Sequence, residues 1–186
     1  MNSKTIANVV VFAALTVALN LWGPKIPAPY ATYLIYQVWE IPIVAAFLLF
    51  GSYVGILIAL INTMILFAVF PGPLPSGPFY NFAAVLSTLF GVYLVQKMIA
   101  RHSFRQAELI AATSSTVLGT TLRVGVMTVV NWALLRYPWP IGYNLTEEAI
   151  LVSLPLTGLF NATLALYTIP LGHVIAKTVR SVIKTL

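Results

Sequence analysis

Arg123 sits in the middle of a long apolar run, Ala107 to Leu135. A guanidinium at membrane depth costs at least ~2.5–3.5 kcal/mol on insertion scales unless it meets an anion or a wet cavity. Glu40 is the only carboxylate before Glu108, and it lies in an apolar stretch of its own. Two kinds of chemistry fit such a pair. It is either a buried ion pair that fixes helix packing or a charged group facing a ligand, with Arg123 as counter-charge to an anionic one. Asn62, Asn81, Asn131 and Asn161 fall on four different spans. Each would be poorly hydrated against lipid, so they point inward, as hydrogen-bonding glue between helices or as the lining of a cavity. Asn81 and Asn131 stand beside proline-rich loops, which favours a cavity open to the outside.

Aromatic residues cluster near the same loops. Trp22, Tyr30, Tyr33, Tyr36 and Trp39 flank the first, and Trp132, Tyr137, Trp139 and Tyr143 the last. Most suit the membrane interface. Trp39, Tyr80 and Trp132 are the candidates to stack on a planar ligand, with Glu40, Asn81, Asn131 and Asn161 as hydrogen-bonding partners. Reactive constellations are missing. The chain has no cysteine, its two histidines, His102 and His173, are far apart, and it contains no nucleotide-binding loop, Ser/His/Asp set or paired catalytic carboxylates. No catalytic residue, metal site or cofactor is expected, and ATP-driven work would fall to another chain.

The elements that position these residues follow from composition. Of 186 residues 60% are hydrophobic and 8% charged, against about a quarter charged in soluble domains. Runs such as Ile56 to Phe70 are apolar on every side, which excludes the alternating strands of a β-barrel. The pattern predicts one all-α integral membrane domain over 1–186 with six spans, at about 5–22, 34–50, 53–70, 79–98, 107–135 and 147–176. The first is read as retained, since no small-residue cleavage site precedes Trp22. Gly23 to Pro29 and Pro71 to Pro78 are stiff loops, and Gly51-Ser52 is a tight turn. Asn144 or Thr146 caps the last span, with Glu147 and Glu148 in its first turn.

The formal charge of +6 is a matter of topology. Lys4, Lys97, Arg101, Arg105, Lys177, Arg180 and Lys184 fall on one side of this arrangement, Lys25 and Arg136 on the other. The positive-inside rule places both termini in the cytoplasm, and anionic lipid explains the basic residues without a nucleic-acid partner. Ala14 and Ala18 lie one turn apart on the first span, a spacing that permits close helix approach.

With these residues the chain resembles the S components, the substrate-binding membrane subunits of energy-coupling factor (ECF) vitamin transporters, most closely the riboflavin-type members. Gln37-Val38-Trp39-Glu40-Ile41-Pro42 is similar to the start of that branch's second span, and Asn81-Phe82 to the start of its fourth. Leu118-Gly119-Thr120 through Met127-Thr128 to Asn131-Trp132 resembles its fifth span, and Leu154-Pro155 its sixth. Asn62 and Phe160-Asn161 stand where that branch has lysines, and Arg123 is an added charge.

The resemblance implies a binding protein in the cell membrane that captures a small vitamin, riboflavin or a related flavin first, in an outward-facing cavity closed by the first outer loop. It implies no catalysis by this chain. Partners would be a transmembrane coupling subunit, met by the Ala14 and Ala18 face, and two cytosolic ATPases. The site residues would be Trp39, Glu40, Tyr80, Asn81, Arg123, Asn131, Trp132 and Asn161. The alternatives are another vitamin or heterocyclic precursor, an anionic one included, a membrane enzyme, or an assembly subunit.

Overall fold

The computed structural model describes residues 3–69, 73–100 and 107–185. Arg101, His102 and Arg105 of the basic cluster, and Pro71 and Gly72 of the second loop, lie outside the described residues, as does the side chain of Lys184. The chain forms α1 (Ser3–Trp22), a hairpin of β1 (Ile26–Ala28) and β2 (Ala31–Tyr36), then α2 (Glu40–Phe50), α3 (Ser52–Val69), α4 (Gly77–Ile99), α5 (Ala107–Leu134) and α6 (Glu147–Thr185). Five of these helices, all but α2, are long and apolar enough to cross a membrane, which makes this a multi-pass membrane protein.

The second span differs from the sequence expectation. Residues 34–36 belong to β2, which pairs antiparallel with β1 in the register Ile26↔Tyr36 and Pro27↔Ile35, and the helix begins only at Glu40. Ala31 to Tyr36 is rich in β-branched and aromatic residues, which suits a pleated, half-buried surface. The eleven-residue α2 that remains is buried from Glu40 through Leu48, on every side of the helix. Its eleven residues are fewer than the ~20 that cross a bilayer unaided, and its uniform burial suits a core element. It packs against α1, α3, α4 and α6. Ile43, Val44 and Phe47 meet Ile58 of α3, Leu89 and Val92 of α4 and Ile169 of α6 in one apolar cluster.

Gly51 ends α2 with φ of 96°, a conformation that favours glycine, and donates its N–H to the Phe47 carbonyl. The chain then turns straight into α3. Where α4 crosses α5, a Cβ on Gly91 would stand 2.6 Å from the Gly119 Cα, so the two backbones touch. Small residues at crossings of this kind let apolar helices gain van der Waals contact that lipid cannot match. Outward faces are apolar too, with Val11, Val117 and Val152 among the exposed residues. In water such a surface would aggregate, whereas in lipid it is solvated.

At its start α6 has Thr146, whose hydroxyl accepts the Ala149 N–H at 3.4 Å, and Glu147 and Glu148 occupy the first turn. Between the two proposed caps the geometry selects Thr146 over Asn144. The helix runs on past Ala176 to Thr185, a total of 39 residues, with Pro155 and Pro170 inside it. At about 1.5 Å per residue it exceeds the ~30 Å hydrocarbon layer. Lys177 and Arg180 stand on its last turns. Lys177 pairs there with Glu108 at 2.8 Å, and an Arg180 guanidinium N–H is donated to the Leu48 carbonyl near the end of α2.

Candidate functional site

A cavity of about 160 Å³ lies between the hairpin and the ends of α2, α4, α5 and α6. Its charged wall starts at Glu40, in the first turn of α2, where the helix dipole favours a carboxylate. Arg123 reaches it from the middle of α5. One guanidinium nitrogen, Nη2, donates to Glu40 Oε1 at 2.9 Å, while Nη1 donates to Oε2, a bidentate pair. Both residues are almost completely buried, Glu40 at 3% exposure and Arg123 at 2%. The remaining edge of the guanidinium is also engaged: Nε donates to Asn161 Oδ1 at 2.9 Å, and Nη1 approaches Thr88 Oγ1 at 3.5 Å. One residue from each of α2, α4 and α6 is thus tied to a single cation on α5.

The charge of Arg123 is cancelled where it stands. Taking two ions out of water costs several kcal/mol each, and only good geometry with further hydrogen bonds offsets that cost. Here the geometry supplies both. The surface that faces the cavity is therefore uncharged in sum and rich in hydrogen-bonding groups.

Asn161 is engaged at both ends of its amide, because its Nδ2 donates to the Thr157 carbonyl at 2.9 Å while its Oδ1 accepts from Arg123. Asn131 is half committed. Its Nδ2 donates to the Met127 carbonyl at 2.7 Å, one helical turn back, which fixes the orientation of the amide and leaves Oδ1 as an acceptor at the cavity wall. Asn81 lines the same space from the first turns of α4. Tyr80 lines it as well, with its hydroxyl donated to the Ile141 carbonyl at 3.0 Å. Trp39, just before α2, completes the set.

Seven of the eight expected residues thus meet: Trp39, Glu40, Tyr80, Asn81, Arg123, Asn131 and Asn161. Trp132 does not. It is 43% exposed, its ring lies under the Arg136 guanidinium at 4.4 Å, and its carbonyl accepts from Arg136 Nε at 3.2 Å. Neighbouring positions on a helix point about 100° apart, and here the step from Asn131 to Trp132 turns the tryptophan ring away from the cavity. Asn62 also lies elsewhere. It is buried between α3 and α1 and accepts from Asn20 Nδ2 at 3.4 Å, which makes it interhelical glue.

Sequence reasoning missed Gln37, Thr157 and the aromatic role of Phe160. Gln37 follows β2, and its buried side-chain oxygen Oε1 has no partner among the described residues. Its backbone is pinned, because the Tyr167 hydroxyl donates to the Gln37 carbonyl at 2.5 Å. Leu34 and Ile35 of the hairpin cover the cavity from one side. The hairpin has its own internal lock, a 2.6 Å hydrogen bond between the Tyr30 and Tyr36 hydroxyls. Desolvation, with that hydrogen bond, pushes the Tyr30 phenol up to about 12, so it stays neutral through the physiological range.

Ala14 points outward from α1, and Ala18 is half-buried. The face that α1 packs inward is instead Val9, Ala13, Thr16 and Asn20. No group of three or more His, Cys, Asp or Glu side chains is gathered as a metal site among the described residues.

No family model matches the chain, and no curated protein matches it either. Among solved structures, the S component of a bacterial ECF transporter superimposes with a TM-score of 0.67. That likeness covers 99% of this chain and 99% of that one at 20% sequence identity. At that identity the likeness is one of fold, and the chain is similar in fold to the S component of a bacterial ECF transporter along nearly its whole length.

Proposed function

We propose that this protein is the substrate-binding subunit of an ECF-type importer and captures a small, uncharged heterocyclic vitamin, a riboflavin-type flavin first. The observation that carries this reading is the neutralised cavity wall. Arg123 is spent on Glu40, so among the described residues the cavity wall holds no free cation for an anionic ligand, while Asn131, Asn81 and Gln37 offer amides to a neutral one. Trp39, Tyr80 and Phe160 supply apolar, ring-shaped walls. Ring-shaped walls beside placed hydrogen-bonding groups suit a flat heterocycle. The likeness in fold supports the same reading.

On this reading the chain binds and performs no chemistry. Transport would draw on a membrane coupling subunit, docking at the outward face of α1 around Ala14 and Ala18, and on two cytosolic ATPases. Both termini would be cytoplasmic, with the hairpin and cavity at the outer side, as the placement of Lys97, Lys177 and Arg180 against Lys25 and Arg136 favours.

The test is a titration of the purified protein with riboflavin, followed by quenching of flavin fluorescence, with thiamine and biotin as competitors. Saturable quenching that riboflavin alone competes away supports the flavin. Displacement by thiamine or biotin moves the ligand to another vitamin. An absence of binding to all of them removes the vitamin-binding reading.

A further inference from the structure

Phe160 and Tyr36 pack ring against ring, and each borders a different hollow. The Phe160 ring borders the central cavity. Tyr36 borders a second hollow of about 270 Å³, with Pro24, Ile26, Val38, Thr163 and Tyr167 as its other walls. The two rings pack with centroids 5.0 Å apart and planes tilted by 34°. Gln37 touches both spaces.

The two halves of this partition are held unequally. Phe160 belongs to α6, next to Asn161, which the Arg123 network fixes. Tyr36 is the last residue of β2. Its hydroxyl is bonded to Tyr30 of the same hairpin, and its ring meets Tyr167 only at 6.4 Å, edge to face. The hairpin touches the helices chiefly through β2 and α6. Tyr36 is therefore the side that can move, and the hollow behind it is the space into which it can move. That hollow is about nine times the ~30 Å³ share of one water molecule, enough for a phenol side chain.

Size makes the movement necessary. At about 160 Å³ the central cavity falls short of the ~300 Å³ at which ligand sites usually begin, while the two hollows together lie within that range. A flat ring stacked between Phe160 and Tyr36 would need them at least ~7 Å apart, twice the ~3.5 Å contact distance of carbon atoms, against the 5.0 Å between their centroids now. Resting on the ligand-binding reading above, we propose that a planar heterocycle enters against Phe160 by displacing the Tyr36 ring into the apolar hollow. Phe160 and Tyr36 then form the two faces of an aromatic clamp.

The experiment compares riboflavin titrations of the purified full-length protein with those of Phe160→Leu, Phe160→Tyr, Thr163→Trp and Thr163→Ala. Thr163 borders the outer hollow and not the central cavity, so a tryptophan there fills the space that Tyr36 needs without touching the ligand site. The dissociation constant is expected to rise about tenfold for Phe160→Leu and to return to within about twofold for Phe160→Tyr, as stacking energies imply. Thr163→Trp is expected to weaken binding about tenfold or more, and Thr163→Ala to leave it unchanged. Thermal midpoints within about 2 °C of wild type confirm that each variant is folded. Wild-type binding with Phe160→Leu or Thr163→Trp titrating like the parent overturns the clamp and leaves the proposed function intact. Failure of wild type to bind riboflavin, thiamine or biotin overturns both. If a competitor binds in place of riboflavin, the same variants are compared with that competitor, and the same two outcomes decide.

Discussion

Arg123 and Glu40, 83 positions apart in the chain, meet fork to fork inside the bundle, with the Nη2 to Oε1 hydrogen bond at 2.9 Å. The contact joins α5 to the start of α2 and places an ion pair of no net charge against the cavity. The pair therefore does two things. It holds four helices in register, and it sets the charge of whatever the cavity accepts.

Removing one partner strands the other. Arg123→Met and Glu40→Leu are each expected to destabilise the protein by about 3–5 kcal/mol, because each leaves an unpaired buried charge. The double variant is expected to be closer to wild type than either single one. Thermal unfolding in detergent checks this. A double variant as unstable as the sum of the singles would show that the pair is not one coupled unit.

Asn131→Ala is expected to weaken riboflavin binding by about tenfold with a nearly unchanged unfolding midpoint, since it removes one acceptor at the cavity wall. Trp132→Ala is expected to leave affinity unchanged, because its ring lies under Arg136 and away from the cavity. The two variants, one position apart, are to be titrated side by side. Reversed behaviour would mean that α5 is rotated by about a third of a turn.

Where α5 packs against α4 and α6, Gly119→Val is expected to destabilise by about 1–3 kcal/mol or more through overpacking, because even a Cβ there would stand 2.7 Å from Ile169 Cδ1 of α6 and 3.4 Å from the Thr88 carbonyl oxygen of α4. Gly125→Ala, six positions along the same helix, is the control, since nothing lies within 4 Å of its Cβ position. Equal midpoints for both variants would place the crossing elsewhere.

Asn62→Leu is expected to cost about 0.6 kcal/mol, the average for one hydrogen bond between membrane helices, and to leave ligand affinity as it was. A variant that unfolds like wild type and binds weakly would return Asn62 to the ligand site.

Much of this site was readable from residue types alone. A lone arginine and a lone glutamate in separate apolar runs have few ways to be accommodated, so Arg123 and Glu40 were candidates for each other beside a ligand-facing role, and the geometry selects the pair. What spacing does not reveal is rotation. On a helix that is apolar all round, nothing in the pattern says whether Asn131 or Trp132 turns inward, and the tryptophan turned out. The hairpin was hidden for a different reason. Leu34, Ile35 and Tyr36 are as apolar as the helix that follows, so hydropathy merged the strand with the span, and only the β-branched and aromatic character of Ala31 to Tyr36 marked it. Phe160 passed as a departure from a family pattern because its partner, Tyr36, is far away in sequence and its role depends on their contact.

The shortness of α2 has a consequence for how the molecule is made. Eleven residues rise about 16 Å, roughly half the hydrocarbon thickness, so α2 cannot be laid into the bilayer as a separate lipid-facing helix. Glu40 at its head has its ion-pair partner on α5, and Val44 packs against Gly172 of α6, both of which leave the ribosome much later. Until then the nascent chain carries an unpaired carboxylate at the mouth of a half-length helix. Final burial of α2 therefore waits for the last helix, and a chain that stops before α6 should be held back as an unfinished product.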